Sequence, residues 1–178
     1  MGIIKSKEDH KLPQVLLMGL DSAGKSTLLF RQQQGVVMET SPTVGFNVAT
    51  VELDKKTSLT VWDVGGQKTM RSNWKYFLEE CKVLVFVVDS SDRDRMGEAQ
   101  KALKKILNDE NMKGVPLMVL ANKKDLSYTM TIREVSTLLE LDSYVDLVWE
   151  IQACSALKGM GLHQAFISVS KLIKKSVR

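Results

Sequence analysis

Nearly continuous apolar runs recur along the chain, at residues 15–18, 83–88 and 115–121. A strand that is apolar at successive positions is covered on both faces, as in a parallel sheet. Between and after these runs, apolar residues return at helical spacing. The helical sets are 96, 99, 103 and 106/107; 132, 135 and 138/139, after a capping box of Thr131 and Glu134; and 162, 166, 169 and 173. This alternation predicts an α/β domain.

One region departs from the alternation. Residues 46–53 and 59–63 predict two strands that are joined by the polar turn 54–57. Such a hairpin forms an antiparallel pair at one edge of an otherwise parallel sheet. The predicted architecture is therefore a doubly wound sheet with helices on both faces, whose ligands bind at the carboxyl ends of its strands.

Length and composition fit one globular domain. The chain has 178 residues, of which 44% are hydrophobic and 26% charged. We find no apolar run near the ~20 residues of a membrane span, and we expect no signal peptide. The net charge of +4 is mild and no basic stripe is interleaved with aromatic residues, so we expect no nucleic-acid partner. Cys81 and Cys154 fit no metal-site spacing, and we expect two reduced thiols.

A phosphate-binding loop is predicted at residues 19–26, Gly-Leu-Asp-Ser-Ala-Gly-Lys-Ser, which fit G-x-x-x-x-G-K-[ST] between a strand and a helix. The glycines let backbone N–H groups turn inward around a β-phosphate at a helix N-terminus. In this motif Lys25 reaches the β- and γ-phosphates and Ser26 ligates Mg²⁺. The predicted nucleotide contacts here are Asp21, Ser22, Ala23, Gly24, Lys25, Ser26 and Thr27. Alone, the loop indicates only a nucleoside triphosphate, because kinases and ATPases share it.

Two further segments supply candidates that sense the γ-phosphate. Asp63 ends the second strand of the hairpin, where a Walker-B aspartate holds the Mg²⁺ shell, here through water. Gly66 offers a backbone N–H to the γ-phosphate, and Gln67 offers a side chain that orients the attacking water. Upstream, Thr43 offers a second hydroxyl to Mg²⁺ and a backbone contact to the γ-phosphate. We assign Gln67 and Lys25 to catalysis.

A base-reading loop is predicted at residues 122–125, Asn-Lys-Lys-Asp, after a buried strand. The Asp125 carboxylate can accept hydrogen bonds from guanine N1–H and the 2-amino group, and adenine lacks that pair of donors. The stem of Lys123 can lie against the base, and Asn122 can tie this loop to the phosphate loop. After the next strand come Ser155 and Ala156, and the Ala156 N–H can donate to guanine O6. Together these segments favour GTP and GDP over ATP.

The whole set of motifs resembles the ADP-ribosylation factor and Arf-like small GTPases, over essentially the whole chain. The most specific segments are 19–25, 42–47 and 62–67, with Arg71 and Trp74 following. The resemblance implies the P-loop NTPase fold of the Ras-like G domain, with a mostly parallel six-stranded sheet and one antiparallel edge strand. It also implies a GTP/GDP switch that hydrolyses GTP slowly, with Mg²⁺ as cofactor. Its partners would be a guanine nucleotide exchange factor, a GTPase-activating protein and effectors, in membrane traffic or at the cilium.

The same resemblance implies a place of action. Residues 1–6 fit M-G-x-x-x-[ST], a common pattern that alone favours an unmodified terminus; together with the resemblance it predicts myristoylation of Gly2. We expect a lipid-modified segment at 1–12 followed by a G domain at 13–178. We expect a cytoplasmic monomer that contacts intracellular membranes reversibly in the GTP state. The family pattern implies that the 46–63 hairpin shifts register between nucleotide states and displaces the N-terminal segment.

Several positions depart from the family pattern. Effector surfaces in this family often use a Phe, Trp and Tyr trio; Phe46 and Trp62 match, whereas Phe77 stands where tyrosine is usual. We predict these three residues as the effector surface. Asp21 stands where Ras-like relatives usually have glycine, and the N-terminal segment is polar beyond Ile4.

Two other functions are compatible with parts of this pattern. A GTP-bound scaffold with negligible turnover would recruit effectors; Asp21, which crowds the γ-phosphate side, favours it, and Gln67 argues against it. A P-loop kinase would need an arginine-rich lid, but the candidate arginines 93, 95 and 133 are scattered along the sequence. No arginine is clearly placed to assist hydrolysis in cis, so we expect that charge to come from a partner.

Overall fold

The computed structural model describes residues 12–34 and 45–176. Within them, six strands form one sheet in the order β2-β3-β1-β4-β5-β6. β2 runs antiparallel to β3 at one edge, and the other neighbouring strands are parallel. This sheet confirms the predicted fold class. The strands are β1 Gln14–Gly19, β2 Phe46–Glu52, β3 Ser58–Val64, β4 Cys81–Asp89, β5 Leu117–Asn122 and β6 Trp149–Ala153.

Helices cover both faces of the sheet, as the continuous apolar runs predict. They are α1 Lys25–Gln34, α2 Met96–Leu107, α3 Ile132–Leu138 and α4 Leu162–Ile173. Successive side chains of a strand point to opposite faces. Leu16 of β1 accordingly joins the core under α2 and α3, whereas Leu17 joins the core under α1 and α4.

Local signals fix the ends of several elements. α3 begins in the predicted capping box: Glu134 N–H donates to Thr131 Oγ1 at 3.1 Å, and Thr131 N–H donates to Glu134 Oε1 at 3.3 Å. A 3₁₀ segment, Lys68–Phe77, follows β3 and is anchored by Trp74, whose buried indole N–H donates to Gly65 O at 2.9 Å.

Cys81 and Cys154 are buried and form no disulfide. Among the described helices, none has the length and apolarity to cross a membrane.

Candidate functional site

The predicted site residues gather at one edge of the sheet. The phosphate loop follows β1, Asp63 lies near the end of β3, Asn122 ends β5, and Ser155 follows β6. Because these four strands are mutually parallel, their carboxyl ends meet at the same edge. Thr43 and Gly2 lie outside the described residues.

The phosphate loop adopts the conformation that an anion cradle needs. Ser22 and Gly24 have left-handed backbone angles, with φ of 64° and 97°. Alternation of this kind turns backbone N–H groups into one concavity. Gly24 also faces the amide of Asn122, so a side chain here would collide with the base loop. Ala23 is buried, and Thr27 is half-buried in the first turn of α1.

Lys25 lies buried beneath this loop. Its ammonium donates to Gly19 O at 3.1 Å and Leu20 O at 3.0 Å. Burial lowers the pKa of Lys25 to about 8, although the nearby carboxylates of Asp63 and Asp21 oppose this shift. A phosphate group would favour the charged ammonium, because an opposite charge close by stabilises it.

Ser26 and Asp63 form a buried pair of oxygen-bearing side chains that are joined by a hydrogen bond. The Ser26 hydroxyl donates to Asp63 Oδ2 at 2.5 Å, and Asp63 is fully buried. The amide of Asn47 also donates to Asp63 Oδ2, at 3.4 Å. Asp63 Oδ1 has no hydrogen-bond partner among the described residues, and an unsatisfied buried acceptor is costly. A hydroxyl and a carboxylate are the hard oxygen donors that Mg²⁺ prefers, so this pair fits the predicted ion.

Gly66 packs directly against the phosphate loop. Its carbonyl accepts a hydrogen bond from Asp21 N–H at 3.0 Å. A Cβ at position 66 would lie 2.5 Å from Lys25 Nζ and 2.7 Å from Asp21 N, so only glycine fits without a shift. Gln67 follows, half-buried and extended, immediately before the 3₁₀ segment.

Asn122 joins three loops of the site. Its side-chain N–H donates to Ala23 O at 2.9 Å, while its Oδ1 accepts from Ala156 N–H at 2.9 Å and from the Cys154 thiol at 3.6 Å. The predicted tie between base loop and phosphate loop is therefore present. The thiol contact was not predicted, because Cys154 carries no motif signal.

Lys123 and Asp125, in the same predicted base-reading loop, also contact neighbouring loops of the site. Lys123 donates to Ser22 O at 2.7 Å and pairs with Asp89 Oδ2 at 2.9 Å, so its stem crosses the site towards the phosphate loop. Asp125 Oδ1 accepts from the Ser155 hydroxyl at 2.7 Å. This contact fixes the orientation of the Asp125 carboxylate.

Sequence reasoning missed an ion-pair network at the outer side of the phosphate loop. Arg95 and Arg71 both contact the Asp21 carboxylate, and both also contact Glu98. The spacing of Arg95 and Glu98 at the start of a helix predicts their mutual contact, but nothing in the sequence predicts that they meet Asp21. Arg93 instead pairs with Glu134 at 2.6 Å.

The predicted aromatic trio forms one cluster. Ring centroids are 5.3 Å apart for Phe46 and Trp62, 5.5 Å for Phe46 and Phe77, and 6.1 Å for Trp62 and Phe77. Phe46 is 51% exposed although it is large and apolar. The cluster joins β2, β3 and the 3₁₀ segment.

Comparisons with known proteins agree with this geometry. The family model of the ADP-ribosylation factor family matches residues 2–173. ADP-ribosylation factors K and J of Dictyostelium discoideum are each 43% identical to the chain over 159 residues, which is 89% of this chain and 84% of theirs. The Arl6 BBS3 small GTPase of Trypanosoma brucei, solved with the nucleotide analogue GppNp, superposes with a TM-score of 0.84 at 31% identity, covering 92% of this chain and 98% of its own. The chain therefore belongs to the ADP-ribosylation factor family and is a small GTPase, an enzyme that binds and hydrolyses GTP.

Proposed function

We propose that this GTPase is a Mg²⁺-dependent switch that cycles between GTP and GDP and hydrolyses GTP slowly unless a partner assists it. The observation that carries the proposal is the buried pair of Ser26 and Asp63 beside Lys25, in which Asp63 Oδ1 lacks a partner among the described residues. Ser26 and Thr43 would ligate Mg²⁺ directly, and Asp63 would hold its water shell. The ion would supply charge stabilisation to the β- and γ-phosphates.

The remaining site residues would contact different parts of the nucleotide. The loop amides of residues 21–26 and the Lys25 ammonium would bind the phosphates. Asp125, which Ser155 orients, would read guanine, and the Ala156 N–H, which here donates to Asn122 Oδ1, would turn to guanine O6 when the base binds. Lys123 would line one side of the base. The residues proposed for these roles lie at or near the carboxyl ends of neighbouring parallel strands.

Hydrolysis would depend on positioning and on charge from a partner. Gln67 would orient the attacking water, and Gly66 N–H would contact the γ-phosphate. Arg71 and Arg95 are both engaged by Asp21 and Glu98, which favours slow turnover by the protein alone. A GTPase-activating protein would supply the missing cation.

We further propose partners and a place of action. An exchange factor would load GTP, and effectors would recognise the cluster of Phe46, Trp62 and Phe77, because exposed aromatic residues are frequent anchors of interfaces. The protein would act as a monomer in membrane traffic, moving between cytoplasm and intracellular membranes. Myristoylated Gly2 would provide the membrane contact.

Single-turnover hydrolysis tests the proposed switch. The chain is preloaded with GTP and followed with and without Mg²⁺ and cell extract, beside Gln67→Leu and the control Gln33→Leu on the exposed side of α1. We expect slow, Mg²⁺-dependent turnover that an activating protein accelerates by about 10³–10⁵. Gln67→Leu should retain bound GTP without acceleration, and Gln33→Leu should behave like the wild type.

A second candidate function is a GTP-bound scaffold with negligible turnover. The hydrogen bond of Asp21 N–H to Gly66 O favours it, because it places a carboxylate-bearing residue beside the glycine that we propose to contact the γ-phosphate. The same experiment separates the two functions. Stable GTP binding with no turnover in any extract would support the scaffold and contradict the switch.

A further inference from the structure

Asp21 places a carboxylate inside a loop that binds phosphate. The backbone N–H groups and Lys25 attract anions there, whereas a carboxylate repels them. Asp21 N–H also bonds to Gly66 O, and Gly66 packs beside the Lys25 ammonium. The Asp21 charge therefore lies on the side of the loop where a γ-phosphate would enter.

Arg95 holds both the side chain and the backbone of Asp21. Its Nη2 pairs with Oδ1 at 2.6 Å, and its Nη1 donates to the Asp21 carbonyl at 3.1 Å and to Oδ2 at 3.4 Å. Arg71 adds one contact, from Nη2 to Oδ1 at 3.1 Å. Arg95 beside it holds the pKa of Asp21 below its ordinary value, so the carboxylate stays charged at neutral pH.

Glu98 completes a network of two cations and two anions. Its Oε2 accepts from Arg95 Nε at 3.2 Å, and its Oε1 accepts from Arg71 Nη1 at 2.7 Å. The two positive charges of Arg71 and Arg95 balance the two negative charges of Asp21 and Glu98. The Arg95 guanidinium contacts Asp21 through Nη2 and Glu98 through Nε.

The two arginines differ in how firmly the fold holds them. Arg71 lies in the 3₁₀ segment that follows Gly66 and also donates to Gly66 O at 2.9 Å. It belongs to the segment that would respond to the nucleotide. Arg95 directly precedes α2, whose first residues Met96 and Ala99 are buried in the core. Arg95 would therefore remain beside the loop if the 3₁₀ segment carried Arg71 away from it.

We propose that Arg95 is a positioning residue that neutralises Asp21 and holds its carboxylate away from the phosphate space, so that the loop accepts GTP as readily as GDP. The inference rests on the proposed nucleotide site. Without Arg95, the carboxylate would face the γ-phosphate, which GDP lacks. Two like charges about 6 Å apart weaken binding by about threefold at the dielectric of water and by about a hundredfold at the effective dielectric near a protein surface, so we expect an effect on the order of tenfold. The loss of affinity should therefore be larger for GTP than for GDP.

The ratio of GTP to GDP affinity tests this role. Both affinities are measured in Mg²⁺ for the full chain, for Arg95→Ala and for Arg95→Gln, which keeps a donor but removes the charge. We expect the GTP affinity to fall about tenfold more than the GDP affinity in both variants. Arg93→Ala is the matched control, because Arg93 lies in the same turn but pairs with Glu134. Its ratio should equal that of the wild type.

A second substitution identifies the cause. In the background of Asp21→Asn the carboxylate charge is absent, so adding Arg95→Ala should leave the ratio within about twofold. Equal weakening of GTP and GDP by Arg95→Ala would overturn the inference, because a purely structural role affects both nucleotides alike. A selective loss that persists with Asp21→Asn would also overturn it. A wild-type chain that binds neither nucleotide would contradict the proposed site itself, and the inference with it.

Discussion

At the level of single side chains, Asp125 should determine which base the protein accepts. Its carboxylate is oriented by Ser155 and offers only acceptors. Asp125→Asn presents donors to the donors of guanine, and each mismatched buried group costs about 1–3 kcal/mol. We expect GDP affinity to fall at least tenfold and xanthosine diphosphate affinity to rise. Competition binding measures both, with the exposed Asp142→Asn as control. Unchanged GDP affinity would remove Asp125 from the site.

Cys154 should make the stability of the protein sensitive to alkaline pH. Burial raises the pKa of its thiol to about 12, whereas an exposed thiol ionises near pH 8.5. Between these values the folded state binds more protons than the unfolded state, so stability falls as pH rises. From pH 8 to pH 10 the wild type should lose about 1–2 kcal/mol more than Cys154→Ala. Urea unfolding at the two pH values checks this difference. If the free energy of unfolding falls equally in the wild type and in Cys154→Ala, the raised pKa of the Cys154 thiol is contradicted.

At the level of elements, local patterns predicted much of the structure. The capping box of Thr131 and Glu134 forms as expected, and the apolar period of α2 buries Met96, Ala99 and Leu103. These features depend on neighbours within one element. The predicted contact from Asn122 to the phosphate loop also forms, because a motif carries it.

Contacts without a motif could not be predicted in this way. Arg95 meets Asp21 across 74 residues, and the Cys154 thiol meets Asn122 from a different loop. In sequence, Arg95 is one of several scattered arginines. Its partner follows only from the position of α2 beside the phosphate loop, which the packing of the whole sheet sets. Long-range polar contacts of this kind depend on tertiary geometry.

The hairpin of β2 and β3 should move along β1 in steps of two residues. Leu59 and Val61 of β3 are buried in one core, whereas Trp62 packs against the other. A shift by one residue would exchange the two faces, so only an even step preserves burial. Leu16 is now opposite Trp62, and a two-residue shift would displace β3 by about 6.6 Å.

Nuclear Overhauser contacts between β1 and β3 test this step. Spectra are compared for the chain loaded with GDP and with a non-hydrolysable GTP analogue. We expect Leu16 to exchange its contact with Trp62 for one with Thr60 or Val64 in one of the two states. The pairing of Val85 with Met118 between β4 and β5 is the internal control and should not change. An identical register in both states would refute the shift.

At the level of the whole molecule, the candidate site depends on the order of the strands. β1 lies between β3 and β4, so the phosphate loop is reached by Asp63 and Gly66 from one side. From the other side come Arg95, after β4, and Asn122, at the end of β5. The phosphate loop therefore contacts both the segment expected to move with the nucleotide and the part of the sheet that we propose to read the base.

Membrane attachment should be weak and coupled to the nucleotide. One myristoyl chain on Gly2 gives only marginal binding, about 10⁴ M⁻¹. Lys5, Lys7 and Lys11 can each add about 1 kcal/mol near an anionic surface, and the acidic residues at 8 and 9 oppose them. We expect association to favour the GTP state, in which a hairpin shift along β1 would displace the N-terminal segment.

Flotation of the N-myristoylated chain with anionic liposomes measures both parts of this prediction. The protein is loaded with GDP or with a non-hydrolysable GTP analogue, and Gly2→Ala, which cannot carry the lipid, is run beside it. The GTP-loaded wild type should float to a greater extent than the GDP-loaded form, and Gly2→Ala should remain at the bottom in both states. If Gly2→Ala floats as well as the wild type, the lipid is not the anchor. If the lipid is required but both nucleotide states float equally, the segment is anchored without responding to the hairpin. Equal flotation of both nucleotide states would not show whether the β1–β3 register changes. The Overhauser contacts report that register directly, so the two experiments together distinguish movement of the hairpin from release of the N-terminal segment to the membrane.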